Sequence, residues 1–270
     1  MRQNRFLTLM LASAAALTLT ACQSAAGPET PPPDTPAPVE TPTPPPATPT
    51  PAPAEAPVWG TYTVEQDYFA GDGETLVLRI HCELPHVENP EACPAGAAIN
   101  AWYEDEGRSR LLEAEDQYEL QVADYDISTV TGFQFQPMNQ EMSSQVVYED
   151  NGIISIRREL YADFGGAHPQ VYRLSEQFDA ATGARLAFAD LFSDAEGVME
   201  LVTAAFLEHT ELKDAGLSRE EVAVACQPEN FYLSDEGYVF WIQAESLPAV
   251  HSPLEVTLSF DALAGLTRHG

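Results

Sequence analysis

A proline-rich segment divides this chain into a part that cannot form a core and a part that can. Between Pro28 and Pro57 lie fourteen of the chain's 22 prolines, mixed with Thr, Ala and Glu. Such a segment favours polyproline II and buries too little apolar surface to fold. We therefore predict a disordered tether over residues 22–57, in which the thirty residues from Pro28 to Pro57 would reach about 90 Å if fully extended. Residues 58–270 remain to form a folded head, which is long enough for one large domain or two coupled small ones.

The residues before the tether have the pattern of an export signal. Arg2 and Arg5 precede an apolar stretch from Phe6 to Leu19, which ends in Leu19-Thr20-Ala21-Cys22. This ending matches a bacterial lipobox, in which the thiol of Cys22 receives lipid as the signal is removed. The alternative is an ordinary signal peptide, with Cys22 merely near the cleavage site. Because the apolar stretch is too short to span a bilayer, we favour lipid chains, palmitate among them, as the membrane anchor.

On this interpretation residues 1–21 are a lipoprotein signal peptide and the head is exported. The residue after Cys22 is Gln23 and not aspartate, which is compatible with the outer membrane in a bacterium that has two membranes. In a bacterium with one membrane the anchor would lie in the cell membrane and the head would face outward. We therefore expect a membrane-anchored protein of the cell surface or periplasm.

The charge of the chain limits its partners. Its 42 acidic and 12 basic side chains give a formal net charge of −30. This excess disfavours nucleic acid and anionic lipid surfaces and favours cationic partners. Solubility outside the cell is an equally good explanation for most of these charges. The sequence contains no phosphate-binding loop, nucleophile motif or convincing metal-ligand set, so no cofactor is predicted.

Three cysteines lie in the head. Cys82 and Cys93 are close in an exported chain, and we predict a disulfide between them. Cys226 ends an apolar run and is better interpreted as a buried small residue than as a reactive thiol. A zinc site formed by His81, Cys82, His86 and Cys93 is a weaker hypothesis, because the spacing matches no common zinc pattern and strand alternation would separate His81 from Cys82.

Hydrophobic periodicity predicts an α+β head with mainly antiparallel sheet, helices packed on one face, and two coupled halves. Strands are expected around 62–64 and 76–84, and a helix follows Pro94, in which Gly107 is a point of possible bending or interruption. The Asn151-Gly152 pair predicts a hairpin turn. Further elements follow from alternation and capping boxes: strands at 145–148, 153–161, 171–178, 185–188, 231–233, 238–242 and 254–260, and helices beginning at Ser193 and Ser218.

The most distinctive short segment is Gly165-Gly166-Ala167-His168-Pro169, between two predicted strands. Glycine permits positive φ, and Pro169 restricts both itself and His168. We interpret the segment as a crossover that joins residues 58–164, an N-terminal α+β half, to residues 165–270, a C-terminal α+β domain.

An enzymatic alternative also centres on this bend. General acid–base chemistry would need His168 and Asp163 near each other, with Glu159 or His251 as a partner within hydrogen-bond reach. The structural explanation is stronger: Asp163 would cap the turn and His168 would bond to backbone. We therefore predict no catalytic residue and favour a non-enzymatic protein over the enzymatic alternative.

Several motifs together resemble a known family. The Gly165–Pro169 run, the Asp179…Thr182-Gly183 turn, Leu191-Phe192 and the stretch from Phe231 to Phe240 are similar to the RsiV-like C-terminal domain. That family includes the extracytoplasmic part of a lysozyme-sensing anti-sigma factor and a non-catalytic module of some peptidoglycan deacetylases. The preceding part, with Asn100 in its helix, is similar to the N-terminal half of the same pairing.

The resemblance implies a non-catalytic head that captures a cationic envelope or wall-active protein such as lysozyme. The alternatives are a hydrolase acting on cell-wall polymer and a peptidoglycan-binding accessory protein. Family members often carry aromatic residues in a Tyr-x-x-Ala-Pro-Tyr pattern after the last hairpin, where this chain has Ala244–Val250 without an aromatic residue. This segment therefore lacks the aromatic binding anchors that family members often carry there.

Overall fold

The computed structural model describes residues 54–165 and 168–268. It confirms an α+β head, built from a six-stranded sheet and a three-stranded antiparallel sheet. The predicted signal peptide, Cys22 and nearly all of the tether lie outside the described residues. None of the helices in the described part of the chain has the length and apolarity needed to cross a bilayer.

The two sheets follow one another along the chain. The first has strand order β1-β2-β3-β4-β5-β6, and the second has β7-β8-β9. Most helices lie between the two sheets in sequence. The elements are β1 (Trp59–Phe69), β2 (Leu76–Val87), α1 (Gly96–Thr131), β3 (Met138–Asp150), β4 (Ile153–Asp163), β5 (Gln170–Asp179), β6 (Arg185–Leu186), α2 (Phe188–Leu191), α3 (Ala195–Leu207), α4 (Thr210–Ala215), α5 (Arg219–Ala225), β7 (Phe231–Ser234), β8 (Gly237–Ile242) and β9 (Leu254–Ser259).

Helix α1 crosses one face of the first sheet and determines its one parallel pairing. Antiparallel strands need only a short turn, whereas parallel β2 and β3 require a crossover, which α1 provides. The alternating residues Leu78, Ile80 and Leu84 of β2 are fully buried beneath it. The remaining neighbouring pairs of this sheet are antiparallel.

Gly107 does not interrupt α1, which is continuous over 36 residues. A Cβ atom at this position would lie 2.8 Å from Cγ2 of Val64 and 3.0 Å from Cε1 of Tyr62. Glycine is therefore needed for close approach of the helix to β1. The helical propensity lost at Gly107 is offset by contact with the sheet.

The predicted Asn151-Gly152 turn is confirmed. Both residues have positive φ, 50° and 77°, as a two-residue type I′ turn requires. The turn joins β3 to β4, which pair antiparallel along their lengths.

The glycine bend has a different role from the crossover predicted for it. Strands β4 and β5 pair directly with each other, from Ile153 opposite Asp179 to Ala162 opposite Gln170. The bend is thus the loop of a hairpin inside the first sheet, and that sheet continues past Gly165 to Leu186. Sequence alternation located these strands correctly, and the antiparallel meander expected from the tight connections between the strands at 153–161, 171–178 and 185–188 is confirmed.

Helices α3 and α5 cover the second sheet. Ser218 caps α5 through the predicted capping box with Glu221. The predicted cap of α3 is wrong by one residue: Asp194 accepts a hydrogen bond from the N–H of Gly197, while Ser193 donates to the carbonyl of Leu266. Ser193 and Asp194 both carry a side-chain oxygen that can cap a helix. Because the Ser193 hydroxyl is bonded to the C-terminal segment, Asp194 is the cap.

Polar side chains join the two sheets at the edge of β7. An edge strand leaves backbone groups unpaired, and here the first sheet satisfies them. Ser155 Oγ accepts from the N–H of Leu233 at 3.0 Å, and the Gln177 amide donates to the carbonyl of Phe231 at 2.9 Å. Ser175 also donates to that carbonyl. The second sheet is therefore fixed by directional bonds as well as by apolar packing.

Candidate binding surface

The glycine bend lies at one end of the first sheet, and the structure describes most of it. Asp163 Oδ1 accepts a hydrogen bond from the N–H of Gly165 at 2.9 Å, which forms the predicted capped turn. Gly165 has φ of 71°, and a Cβ atom there would lie 3.3 Å from Cβ of Gln136. His168 and Pro169 are exposed, while Gly166 lies outside the described residues. The bend therefore contacts the connection between α1 and β3.

The C-terminal half of α1 reaches the same end of the molecule. Ala114 is the last buried residue of this helix, and of the following turns only Tyr118 packs, partly buried, against the core of the first sheet. The Tyr118 hydroxyl donates to the carbonyl of Phe69 at 2.9 Å, and the Tyr125 hydroxyl donates to Asp72 Oδ2 at 3.0 Å. Both acceptors lie at the β1–β2 connection, which thus supports the projecting helix.

Asp72 organises that connection. The backbone N–H groups of Thr75 and Glu74, together with the hydroxyls of Thr75 and Tyr125, donate hydrogen bonds that lower the pKa of Asp72 well below its usual range. The carboxylate consequently remains ionised at ordinary pH, and its bond to Tyr125 persists.

Four apolar side chains are exposed where these segments meet. We call Ile127, Val130, Phe133 and Phe164 the distal surface. Their exposed fractions are 59%, 87%, 78% and 47%. Three of them, Ile127, Phe133 and Phe164, line one cleft of about 290 Å³ together with Gly165. Clustered exposed apolar side chains of this size are typical of interaction sites.

The surroundings of the distal surface are acidic. Asp124 lines the cleft, and Asp126 precedes Val130 by one helical turn. From Leu111 to Ile156 the chain contains no Lys or Arg. Arg110 lines a neighbouring cavity with Phe164, but it is paired with Glu106 and Glu113. The distal surface therefore combines apolar anchors with nearby carboxylates, a combination suited to a basic protein partner.

The four groups of the enzymatic hypothesis have separate environments. Glu159 forms an ion pair of 2.5 Å with Arg173. His251 Nδ1 lies 3.1 Å from Glu245 Oε1 in an exposed position. Asp163 caps the bend, and none of the described residues forms a hydrogen bond or ion pair with His168. Within the described ranges no such interaction joins any two of the four groups.

The predicted disulfide is not formed in the structure, where Cys82, Cys93 and Cys226 are free and buried. Cys82 precedes the end of β2 at Val87 by five residues, or about 16 Å of strand, and Cys93 lies in the turn beyond that end. A disulfide requires Cα atoms within about 7 Å.

Burial raises the pKa of the Cys82 thiol to about 11, and that of the Cys226 thiol to about 11. In the described part of the chain, no three His, Cys, Asp or Glu residues form a metal-binding cluster.

An ionic cluster beneath α1 is buried and serves the fold. Arg158 Nη2 lies 2.5 Å from Glu176 Oε1, and Nη1 lies 2.8 Å from Glu106 Oε1. Tyr103 donates to Glu176 at 3.0 Å. Burial alone would lower the pKa of Arg158, but the two carboxylates more than offset this and raise it. Because Arg158 is 3% exposed, no partner protein can reach it.

Comparison with known proteins supports the fold. A crystal structure of a DUF3298 family member from Bacteroides fragilis has a TM-score of 0.56 and 16% identity, covering 80% of this chain and 95% of that one. A DUF3298 family protein from Pseudomonas aeruginosa has a TM-score of 0.47 and 16% identity, covering 79% and 95%. No protein-family model and no curated protein matches the chain. At this identity the likeness concerns the fold alone.

The distal surface was not predicted from the sequence, although one local pattern was available. Val130 and Phe133 flank Gly132, the left-handed residue that ends α1. Apolar residues beside a helix end commonly pack against the preceding turn, so they would ordinarily be assigned to the core. Only the tertiary structure, in which the β4–β5 loop lies nearby without covering them, shows that they remain exposed.

Proposed function

We propose that this chain is a lipid-anchored extracytoplasmic binding protein of the RsiV-like type, whose distal surface captures a cationic envelope or wall-active protein such as lysozyme. The observation that carries the proposal is the cluster of exposed apolar side chains at the distal surface: Ile127, Val130, Phe133 and Phe164. Three of them belong to a stretch of chain, residues 111–156, that contains no Lys or Arg. The likeness of the head to a DUF3298 structure is consistent with it.

The two parts of this surface have different tasks. Acidic side chains attract a basic partner over distances comparable with the Debye length, about 10 Å at 0.1 M salt, and so raise the association rate. Apolar side chains exclude water at contact and slow dissociation. The aromatic residue Phe133, which is 78% exposed, is the best candidate anchor.

The segment Ala244–Val250 does not supply such anchors. Leu247 and Val250 are buried, and the N–H of Glu245 donates to the carbonyl of Val250 at 2.7 Å. This segment therefore closes on itself and packs into the core of the second sheet. A partner would meet the distal surface in preference to it.

Titration calorimetry and surface binding kinetics with lysozyme as the probe would test the proposal. We expect binding at low ionic strength, with an association rate that falls as salt is added. Phe133→Ser should weaken binding about tenfold, mainly through faster dissociation. Asp124→Asn should mainly slow association.

A matched control is available on another face. Val224 on α5 is 71% exposed, so Val224→Ser removes a comparable apolar side chain from outside the distal surface and should leave binding unchanged, whereas Val130→Ser should weaken it. Absence of lysozyme binding at low salt would refute the named partner. Equal effects of the two valine substitutions would refute the assigned surface.

A further inference from the structure

A second cavity lies at the opposite end of β4 from the distal surface. It has a volume of about 700 Å³ and is formed by the β3–β4 turn, the second sheet and the C-terminal segment. Eleven residues of β4 separate the two ends, or about 35 Å. The cavity is therefore independent of the proposed protein-binding surface. Its volume lies within the range of small-molecule sites, about 300–1,000 Å³.

Three aromatic rings form a continuous wall of this cavity. The ring centroid of Phe260 lies 6.0 Å from that of Tyr148 and 5.5 Å from that of Tyr238. Tyr148 and Tyr238 are 6% and 2% exposed, whereas Phe260 is 37% exposed. The two tyrosines thus form the base, and Phe260 offers a ring face at the mouth.

The polar groups of the cavity are largely unpaired. Among the described residues no hydrogen bond is formed by the hydroxyls of Tyr238 and Thr267 or by the carboxylate of Asp261. The Tyr238 hydroxyl is the most informative, because the side chain as a whole is 2% exposed while its oxygen is still open to solvent and so is available to a ligand. The Arg268 side chain donates to main-chain carbonyls only through Nε, which leaves its terminal nitrogens available.

A ligand that matches this cavity needs a flat apolar face to pack on the aromatic rings. It also needs several hydroxyl or amide groups to bond the donors and acceptors that line the cavity. A pyranose ring has both, since its C–H face is apolar and its edge carries hydroxyls. An anion is less suitable, because Asp261 lines the cavity and the chain has a net charge of −30. We propose that this cavity binds a neutral saccharide unit, stacked on Phe260 and hydrogen-bonded by Tyr238.

The test uses the purified chain with chitotriose and cellotriose as probes, followed by calorimetry and ligand-observed NMR. We expect binding of at least one of them. Tyr238→Phe removes only the hydroxyl and should weaken binding about tenfold. Phe260→Leu keeps an apolar side chain but removes the ring face, and it should weaken binding by at least about tenfold.

Two comparisons keep the outcome decisive. Tyr232→Phe removes a tyrosine hydroxyl that donates to Glu255 outside this cavity, and it should leave saccharide affinity unchanged. Failure of both saccharides to bind, or unchanged affinity in Tyr238→Phe and Phe260→Leu, would overturn the proposal. Binding of octanoate that is lost in Arg268→Gln, without saccharide binding, would identify an amphipathic-anion site instead. Lysozyme binding should be unaffected by Tyr238→Phe, which separates this inference from the proposed function.

Discussion

The two halves of α1 belong to one continuous helix but have different roles. From Gly96 to Ala114 the helix contributes all of its buried residues, and beyond Ala114 it contributes none. In the first half, Asn100 accepts from the N–H of Val87 at 2.7 Å and donates to its carbonyl at 2.9 Å. In the second half, the bonds to neighbouring segments come from exposed or partly buried tyrosines at positions 118 and 125.

The difference shows how one helix can serve both stability and recognition. Its buried half closes the core of the first sheet and covers the ionic cluster around Arg158. Its projecting half leaves apolar residues in water at a free-energy cost that a binding role would explain. Substitutions in the first half should therefore change stability, and substitutions in the second half should change binding.

The largest expected effect is at Arg158. Arg158→Met would leave the buried carboxylate of Glu176 without its cation, and we expect the free energy of unfolding to fall by about 3–5 kcal/mol. Urea denaturation would measure this. Adding Glu176→Gln should restore part of the loss. Arg108→Met, which breaks an exposed pair with Asp105, is the control and should change stability by less than about 1 kcal/mol.

The next effect concerns Gly107. Gly107→Ala would place a methyl group 2.8 Å from Val64, and overpacking of this kind costs about 1–3 kcal/mol. Ordinary helix propensity would instead make the change favourable by up to about 1 kcal/mol. Chemical denaturation of Gly107→Ala, compared with that of the exposed control Ser109→Ala, would show whether the substitution lowers or raises the free energy of unfolding. A stabilised Gly107→Ala would show that α1 does not need its close approach to β1.

Lowering the pH should reduce the stability that Glu106 contributes in the buried half of α1. Burial opposes ionisation of Glu106, but Arg158 and Arg110 outweigh it and hold the pKa below the usual 4.5. A depressed folded pKa contributes stability above 4.5, and that stability is lost as pH falls through the folded pKa. The urea midpoint should therefore fall less between about pH 6 and about pH 3 in Glu106→Gln than in the unaltered chain. Glu104→Gln, on the exposed side of the helix, should behave like the unaltered chain.

Substitutions on the distal surface should have little effect on stability. Val130→Ser and Phe133→Ser remove side chains that are mostly in water, so the free energy of unfolding should change by less than about 0.5 kcal/mol. Denaturation curves measured on the proteins used for lysozyme binding would check this. A loss above about 1 kcal/mol would mean that the projecting half of α1 contributes to the core after all.

The smallest expected effect is that of a reductant. With Cys82 and Cys93 free and buried, dithiothreitol should not shift the urea midpoint, and a thiol reagent should react only after unfolding. A midpoint that falls on reduction would show that the protein forms the disulfide its sequence predicts.

Local patterns predicted many individual elements. Alternation of Leu78, Ile80 and Leu84 identified β2, Asn151-Gly152 identified a turn, and Ser218 with Glu221 identified the start of α5. These features depend on neighbours within a few residues, so the sequence records them directly. The same reasoning misplaced the cap of α3, because the competing partner of Ser193 is Leu266, far away in the chain.

The candidate site depended on longer-range information. The glycine bend was recognised as a tight connection in an antiparallel meander, but the structure was needed to show that this meander continues the same sheet as β1, β2 and β3. The exposure of Phe133 and Phe164 follows from the contact of that loop with the α1–β3 connection. Hydrophobic periodicity in the sequence does not indicate either of these long-range arrangements.

The sequence alone therefore determined the kinds of element in the head, its acidic charge, and the expectation of export and lipid attachment, because composition and short-range periodicity encode them. The tertiary structure decided how the strands combine into two sheets, that Gly107 brings the helix against the sheet, and which apolar residues stay in water. Burial is a property of the folded whole: a valine at a helix end has the same local sequence whether the next loop covers it or leaves it free to bind.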